Sequence, residues 1–268
     1  MKKLITLFFL ISATTASSLL HAVNVDKSQD FVVCVNDHNP PFSSQMEKEN
    51  NIDIQVLELI SQKISRKLRI QWVNIPKRGG IGKALKTSIG ESLCDAFIGL
   101  PTDSAFSEEL KDKKLVISNP YFKVGYFLIA NKQLPIEKNQ FNLTKKVGTV
   151  TRTSGDLFVH KNFPKNRYPF NTYGELIDAL NNGVIDYALV WSPAIASHQE
   201  KISTEQYQLL EYQSENVTMN MSFGIATKAT QVIMMNQINS AIESLLNDGS
   251  LKAIVNQSKL SFVKLPQR

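Results

Sequence analysis

The chain has 268 residues, 43% of them hydrophobic and 20% charged, with a formal net charge of +6. That balance excludes wholesale disorder and collagen-like or low-complexity architectures, and the length suits one large or two small domains. Two cysteines exclude a disulfide-dense scaffold and a multi-cysteine zinc module, and no dense Lys/Arg block points to nucleic acid.

The first 22 residues read as a secretory signal peptide. Lys2 and Lys3 are followed by an apolar run from Leu4 to Ile11 broken only by Thr6, then by small and hydroxyl residues ending at Ala22. The run is too short to cross a bilayer, which takes about 20 residues. Ala16 is an alternative cleavage point. Cleavage after Ala22 removes two lysines and leaves a net charge of +4. The expectation is a mature, soluble periplasmic chain.

Phe31 to Val35 is a short buried strand that runs into the loop Asn36-Asp37-His38-Asn39-Pro40-Pro41. Ile52, Val56, Leu57, Ile60, Ile64 and Leu68 recur at helical spacing, with Asn50 or Asn51 as cap. A strand at Ile70–Val73 is broken by Pro76-Lys77-Arg78-Gly79-Gly80; a short helix near Ile81–Ile89 leads to the strand Asp95–Leu100. This alternation predicts a parallel sheet flanked by helices. The pattern repeats with a strand at Val147–Val150, a helix through Leu157 and His160, a helix at Glu175–Asn182 closed by Gly183, and a strand at Ile185–Trp191. Asp95 and Asp186 each open an apolar strand after a short helix, which suggests two similar lobes. Val124–Ala130 and Met221–Ala226 are the long apolar strands expected to join them, and a helix on Ile233, Met234, Ile238, Ile242 and Leu245 should return to the first lobe. Two lobes joined by two strands make a hinge with a cleft.

In an oxidising compartment Cys34 and Cys94 would pair if their strands are neighbours, closing a loop worth about 4 kcal/mol by chain entropy. Two buried thiols are the alternative.

Asn39-Pro40-Pro41-Phe42-Ser43, Ile52-Asp53-Ile54-Gln55-Val56-Leu57, Cys94–Gly99, Ile117–Phe122, Asn182–Ala188 and Leu246–Ser250 together resemble the family 3 periplasmic solute-binding proteins over essentially the whole mature chain. Cys34 with Cys94, the Arg78-Gly79 turn, Ile98-Gly99-Leu100-Pro101 and Ala188–Pro193 are similar to the MxaJ-type branch, accessories of quinoprotein methanol dehydrogenases. The resemblance implies the two-lobed α/β fold, each lobe a mainly parallel sheet, with lobe 1 at 23–128, lobe 2 at 129–220 and a return to lobe 1 at 221–268.

Amino-acid binders of this family hold the ligand carboxylate with an Arg a dozen residues past the strand-starting Asp, where this chain has Ser107. They hold the ammonium with an acid at the end of the second-lobe strand, here Trp191 followed by Ser192, and their aromatic lid falls on Asn39. A free amino acid is therefore a poor fit, since a buried charge without its partner costs several kcal/mol. Arg152, Thr153 and Ser154 lie where a strand feeds a helix N-terminus and suit an anion. Arg78 lies on a strand-end loop, Trp191 could wall the cleft, Asp103 could answer a cation, and Tyr121 could line the hinge. The candidate ligand-binding set is Asn39, Phe42, Arg78, Thr102, Asp103, Tyr121, Arg152, Thr153, Ser154, Trp191 and Ser192. No metal, cofactor or nucleic acid is expected, and the chain should be a monomer.

Three functions follow as expectations. The first is capture of a small polar solute for an inner-membrane ABC permease. The second is a partner-binding accessory of a periplasmic quinoprotein dehydrogenase. The third is a dehydratase-like enzyme, with His38 beside Asp37 as acid or base; no nucleophile elbow or phosphate loop supports it.

Overall fold

The computed structural model describes residues 30–46, 51–76, 78–134, 144–212, 219–257 and 265–266; the expected signal peptide lies outside them. Strand β1 (Asp30–Asn36) passes through the hairpin β2 (His38–Asn39) and β3 (Ser43–Ser44) into α1 (Ile52–Lys63) and β4 (Lys67–Val73). Then come α2 (Gly80–Leu85), which widens into a π-helical turn at Lys86–Gly90, β5 (Ala96–Pro101), α3 (Ser104–Asp112) and β6 (Leu115–Ile117). The long β7 (Phe122–Asn131) leads to β8 (Val147–Val150), α4 (Ser154–Asn162), β9 (Arg167–Phe170), α5 (Tyr173–Asn181), β10 (Tyr187–Trp191), α6 (Ser192–Ser197) and β11 (Tyr207–Glu211). The chain closes with β12 (Asn220–Lys228), α7 (Val232–Asn247) and α8 (Ser250–Gln257).

The strands form two parallel groups. β4, β1 and β5 lie in that order, with β12 antiparallel to β5. β9, β8 and β10 form the second group, with β7 antiparallel to β10 and β11 on the other side of β7. Two strands join the groups. Phe122–Gly125 of β7 pair with Asn220–Phe223 of β12; from Tyr126 onward β7 pairs with β10 and β11, and the rest of β12 pairs with β5 and β6. The result is the expected two-lobed α/β architecture with two hinge strands.

Strand alternation divides each lobe's core between two faces. In β1, Phe31, Val33 and Val35 face α1, α7 and α8, whereas Cys34 faces α2 and the π-helical turn. In β10, Ala188 and Val190 face α5 and α6, whereas Tyr187 and Leu189 face α4. The C-terminal helices α7 and α8 pack on the core that holds Phe31, Val33, Val35 and α1. Cys34 and Cys94 are joined by a disulfide, their Cα atoms 5.7 Å apart, which settles the alternative of two free thiols. Asn51 precedes α1 but does not cap it; its amide instead pairs both ways with the Ser44 backbone and ties α1 to β3. No helix among the described residues is long and apolar enough to cross a membrane.

Candidate functional site

A strand-to-helix turn at the end of β8 brings Arg152, Thr153 and Ser154 together. Arg152 turns the chain with a left-handed backbone (φ +64°), and Thr153 caps α4. The Thr153 hydroxyl donates to the Val150 carbonyl at 2.7 Å and accepts the Asp156 N–H at 3.2 Å. Ser154 opens the helix. An open groove of about 510 Å³ runs over this turn, lined by Arg152, Thr153, Ser154, Asp156, Leu157, His160 and Arg167. The positive end of the helix and two guanidinium groups give it an anion-favouring character.

Asp156 is the carboxylate in that groove, and it is already engaged. Arg167 holds it in a two-point contact at 2.7 and 2.9 Å, and the Thr149 hydroxyl donates at 2.6 Å. Burial pushes its pKa up, but the bonds from Arg167, Thr149 and the Arg152 backbone outweigh that and hold it below the ordinary carboxylate value.

Next to this turn lies an aromatic group. Tyr126, the first residue of β7 committed to the second lobe, lays its ring against Gly155; a Cβ there would meet the ring at 2.6 Å. The Tyr126 and Trp191 ring centroids are 5.1 Å apart. Tyr173 lies beside Tyr126; burial first, then Tyr126, raises the pKa of its phenol. Trp191 is partly buried and packs against the first-lobe core and both second-lobe cores. It therefore bridges the lobes at the base of the hinge.

The other candidates fall into two groups. Arg78 is exposed on the turn before α2, and Asn39 is half-buried in the hairpin, its carbonyl accepting from Phe42 at 2.9 Å. Thr102 lies beside the hinge, its N–H donated to the Ser222 carbonyl at 2.9 Å. The remaining four are occupied by the fold. Phe42 is buried edge-on against Phe223, with centroids 5.1 Å apart. Asp103 caps α3 by accepting the Phe106 N–H, the ordinary role of an Asp there. Tyr121 is fully buried and donates its hydroxyl to Asp53 at 2.8 Å. Ser192 is fully buried, and its hydroxyl accepts the Gly125 N–H at 3.3 Å, pinning β7 where its partners change.

Sequence reasoning missed Tyr126, Tyr173, Arg167, Asp156 and Asp53. Tyr126 sits inside an apolar strand and carried no polar pattern. Arg167 reaches the site from β9, a strand the hydrophobic period did not single out, and Tyr173 opens α5 two residues ahead of the expected helix start at Glu175. Asp53, on the apolar helix stripe between Ile52 and Val56, was the readable anomaly, because a carboxyl there must be buried.

No protein-family model and no curated protein matches the sequence. Solved structures do. A polar amino acid ABC uptake transporter substrate-binding protein from Streptococcus thermophilus aligns at TM-score 0.67 and 16% identity, over 85% of each chain. The second substrate-binding domain of a putative amino acid ABC transporter from Streptococcus pneumoniae aligns at TM-score 0.65 and 16% identity, over 85% of this chain and 99% of that one. MxaJ from Methlophaga aminisulfidivorans aligns at TM-score 0.64 and 16% identity, over 88% of this chain and 100% of that one. At this identity the likeness is one of fold, that of the two-lobed periplasmic binding proteins.

Proposed function

We propose that this chain is an extracytoplasmic binding protein whose interlobe cleft takes a small polar solute, anionic or neutral, and not an ordinary free amino acid. The observation that carries the reading is Trp191. The strand that would present an acid to a ligand's ammonium ends instead on an indole that packs between the lobes. The nearby carboxylate, Asp156, is paired with Arg167 and leaves no charge for a cation. Arg152 with the α4 N-terminus would hold an anionic group, Trp191 and Tyr126 would wall the cleft, and Arg78, Asn39 and Thr102 would contribute from the first lobe. Two of the similar structures belong to substrate-binding proteins of ABC transporters. The secretory leader read from the sequence places delivery to an inner-membrane permease within the same proposal.

The test is thermal unfolding against organic acids, free amino acids, polyamines and short peptides. A ligand at 100 times its dissociation constant stabilises by about 2.7 kcal/mol, which raises the midpoint of a chain this size by roughly 5–10 °C. Organic acids should give that shift and free amino acids should not. A shift confined to amino acids or polyamines overturns the ligand class.

The Cys34–Cys94 bond favours a second reading, because that pair carried the resemblance to the MxaJ-type accessories. In it the cleft holds no solute and the partner is a periplasmic quinoprotein dehydrogenase. A flat ligand panel together with co-elution with such an enzyme would support it; a ligand-induced shift would remove it.

A further inference from the structure

Asp53 is the second residue of α1 and is 1% exposed. Its backbone N–H donates to the Phe42 carbonyl at 2.9 Å. Its carboxyl accepts the Tyr121 hydroxyl at 2.8 Å. The second carboxyl oxygen lies over Gly99, so close that a Cβ there would stand 2.9 Å from it, and Gly99 has φ +80°. β5 thus offers Asp53 a bare backbone, the β2–β3 hairpin offers a carbonyl already used, and the β6–β7 connection offers Tyr121. Tyr121 is the titratable group that acts on Asp53 among the described residues, and no Lys, Arg or His does. Burial raises the Asp53 carboxyl to about 7, with the Tyr121 bond working in the opposite direction.

Both attachments of Asp53 converge on one hinge residue. The Tyr121 N–H donates to the Phe223 carbonyl at 2.9 Å, and the next residue, Phe122, begins β7 opposite Phe223. Phe42, which takes the Asp53 N–H, packs its ring edge-on against the Phe223 ring. A buried carboxyl is therefore wired through two routes to the point where β7 and β12 leave the first lobe.

We propose that Asp53 is a proton-controlled latch on the hinge. Protonated, it is a neutral partner that holds Tyr121 and the roots of β7 and β12 to α1. Ionised, it is a buried charge with a single hydroxyl donor, and it relaxes by releasing that root. The latch acts on the unliganded protein and does not depend on what the cleft binds.

The experiment uses the unliganded mature protein. Carbon-detected NMR follows the Asp53 carboxyl from pH 4 to 9. Hydrogen exchange, normalised to intrinsic rates, compares residues 121–125 and 220–223 with the second-lobe strands at pH 5.5 and 8.5. We expect Asp53 to titrate near neutrality, the hinge-root amides to lose about tenfold or more protection at the higher pH relative to the second lobe, and Asp53→Asn to abolish that difference. The latch is refuted by titration in the ordinary carboxylate range, by an unchanged response in Asp53→Asn, or by equal loss of protection in both lobes. If Asp53→Asn does not fold, the titration and the wild-type exchange decide the matter alone. Failure here leaves the ligand reading standing, and a flat ligand panel leaves the latch standing.

Discussion

Asp95 and Asp186 make the same pair of bonds in the two lobes. Asp95 donates its N–H to the Val32 carbonyl at 2.8 Å, and its side chain accepts the Val32 N–H at 2.9 Å. Asp186 donates its N–H to the Lys146 carbonyl at 3.1 Å, and its side chain accepts the Lys146 N–H at 2.8 Å. Each clasp fastens the start of a strand that follows a helix to its parallel neighbour, at Val32 in β1 and at Lys146 just ahead of β8, using a carboxylate where the ladder has not yet begun. Asp95→Ala and Asp186→Ala should each cost about 1–2 kcal/mol, the penalty for a strand N–H left unmet. The two costs should add in the double variant, because the sites share no partner. Urea unfolding measures all three.

Gly155 faces the Tyr126 ring with no room for a methyl group. Gly155→Ala should destabilise the protein by about 1–3 kcal/mol through overpacking. Combined with Tyr126→Ala the effect should be markedly less than the sum, because the ring that clashes is gone. A purely additive cycle by denaturant unfolding would count against direct contact. Tryptophan emission should shift in either single variant, since Trp191 packs on the same ring.

The disulfide closes a loop between residues 60 positions apart. Cys34→Ser with Cys94→Ser should lower stability by about 2–5 kcal/mol. Reducing agent should lower the wild-type unfolding midpoint and leave the double variant unchanged.

Two buried acids give stability opposite slopes in pH. Asp53 has a raised folded value, so the unfolded chain releases its proton first; the stability it contributes falls as pH rises from about 4 through about 7, by roughly a few kcal/mol. Asp156 has a lowered folded value, so its contribution is present above the ordinary carboxylate range and is lost as pH falls through it. Thermal midpoints across pH 3–9 should peak in mildly acidic solution. Asp53→Asn should flatten the alkaline side and Arg167→Leu the acid side.

Much of the fold was legible because it rests on continuous apolar runs. β1, β5, β7, β10 and β12 all carry such runs, and the paired Asp95 and Asp186 signalled the repeat. β9 and β11 were not readable: Arg167–Phe170 and Tyr207–Glu211 mix polar and apolar residues, and they are strands because β8 and β7 offer them open edges. For the site, Arg152, Thr153 and Ser154 were legible as a strand-to-helix turn, whose chemistry is local in sequence. Tyr121 and Ser192 were singled out, but their hydroxyls are taken by Asp53 and by the Gly125 backbone. Such partners lie 68 and 67 positions away in the chain and leave no local pattern.

The strand exchange at the hinge also orders events along the growing chain. From Tyr126 to Glu211 the second lobe is one unbroken stretch, and β7 to β11 can assemble as soon as they emerge. The first lobe is not. β5 waits for β12 as its neighbour, and the core under α1 waits for α7 and α8, all from the last quarter of the chain. Long-range pairing of this kind is slow to form. The part synthesised first is therefore the part completed last, and until β12 arrives β5 presents an open edge to whatever holds the unfolded chain.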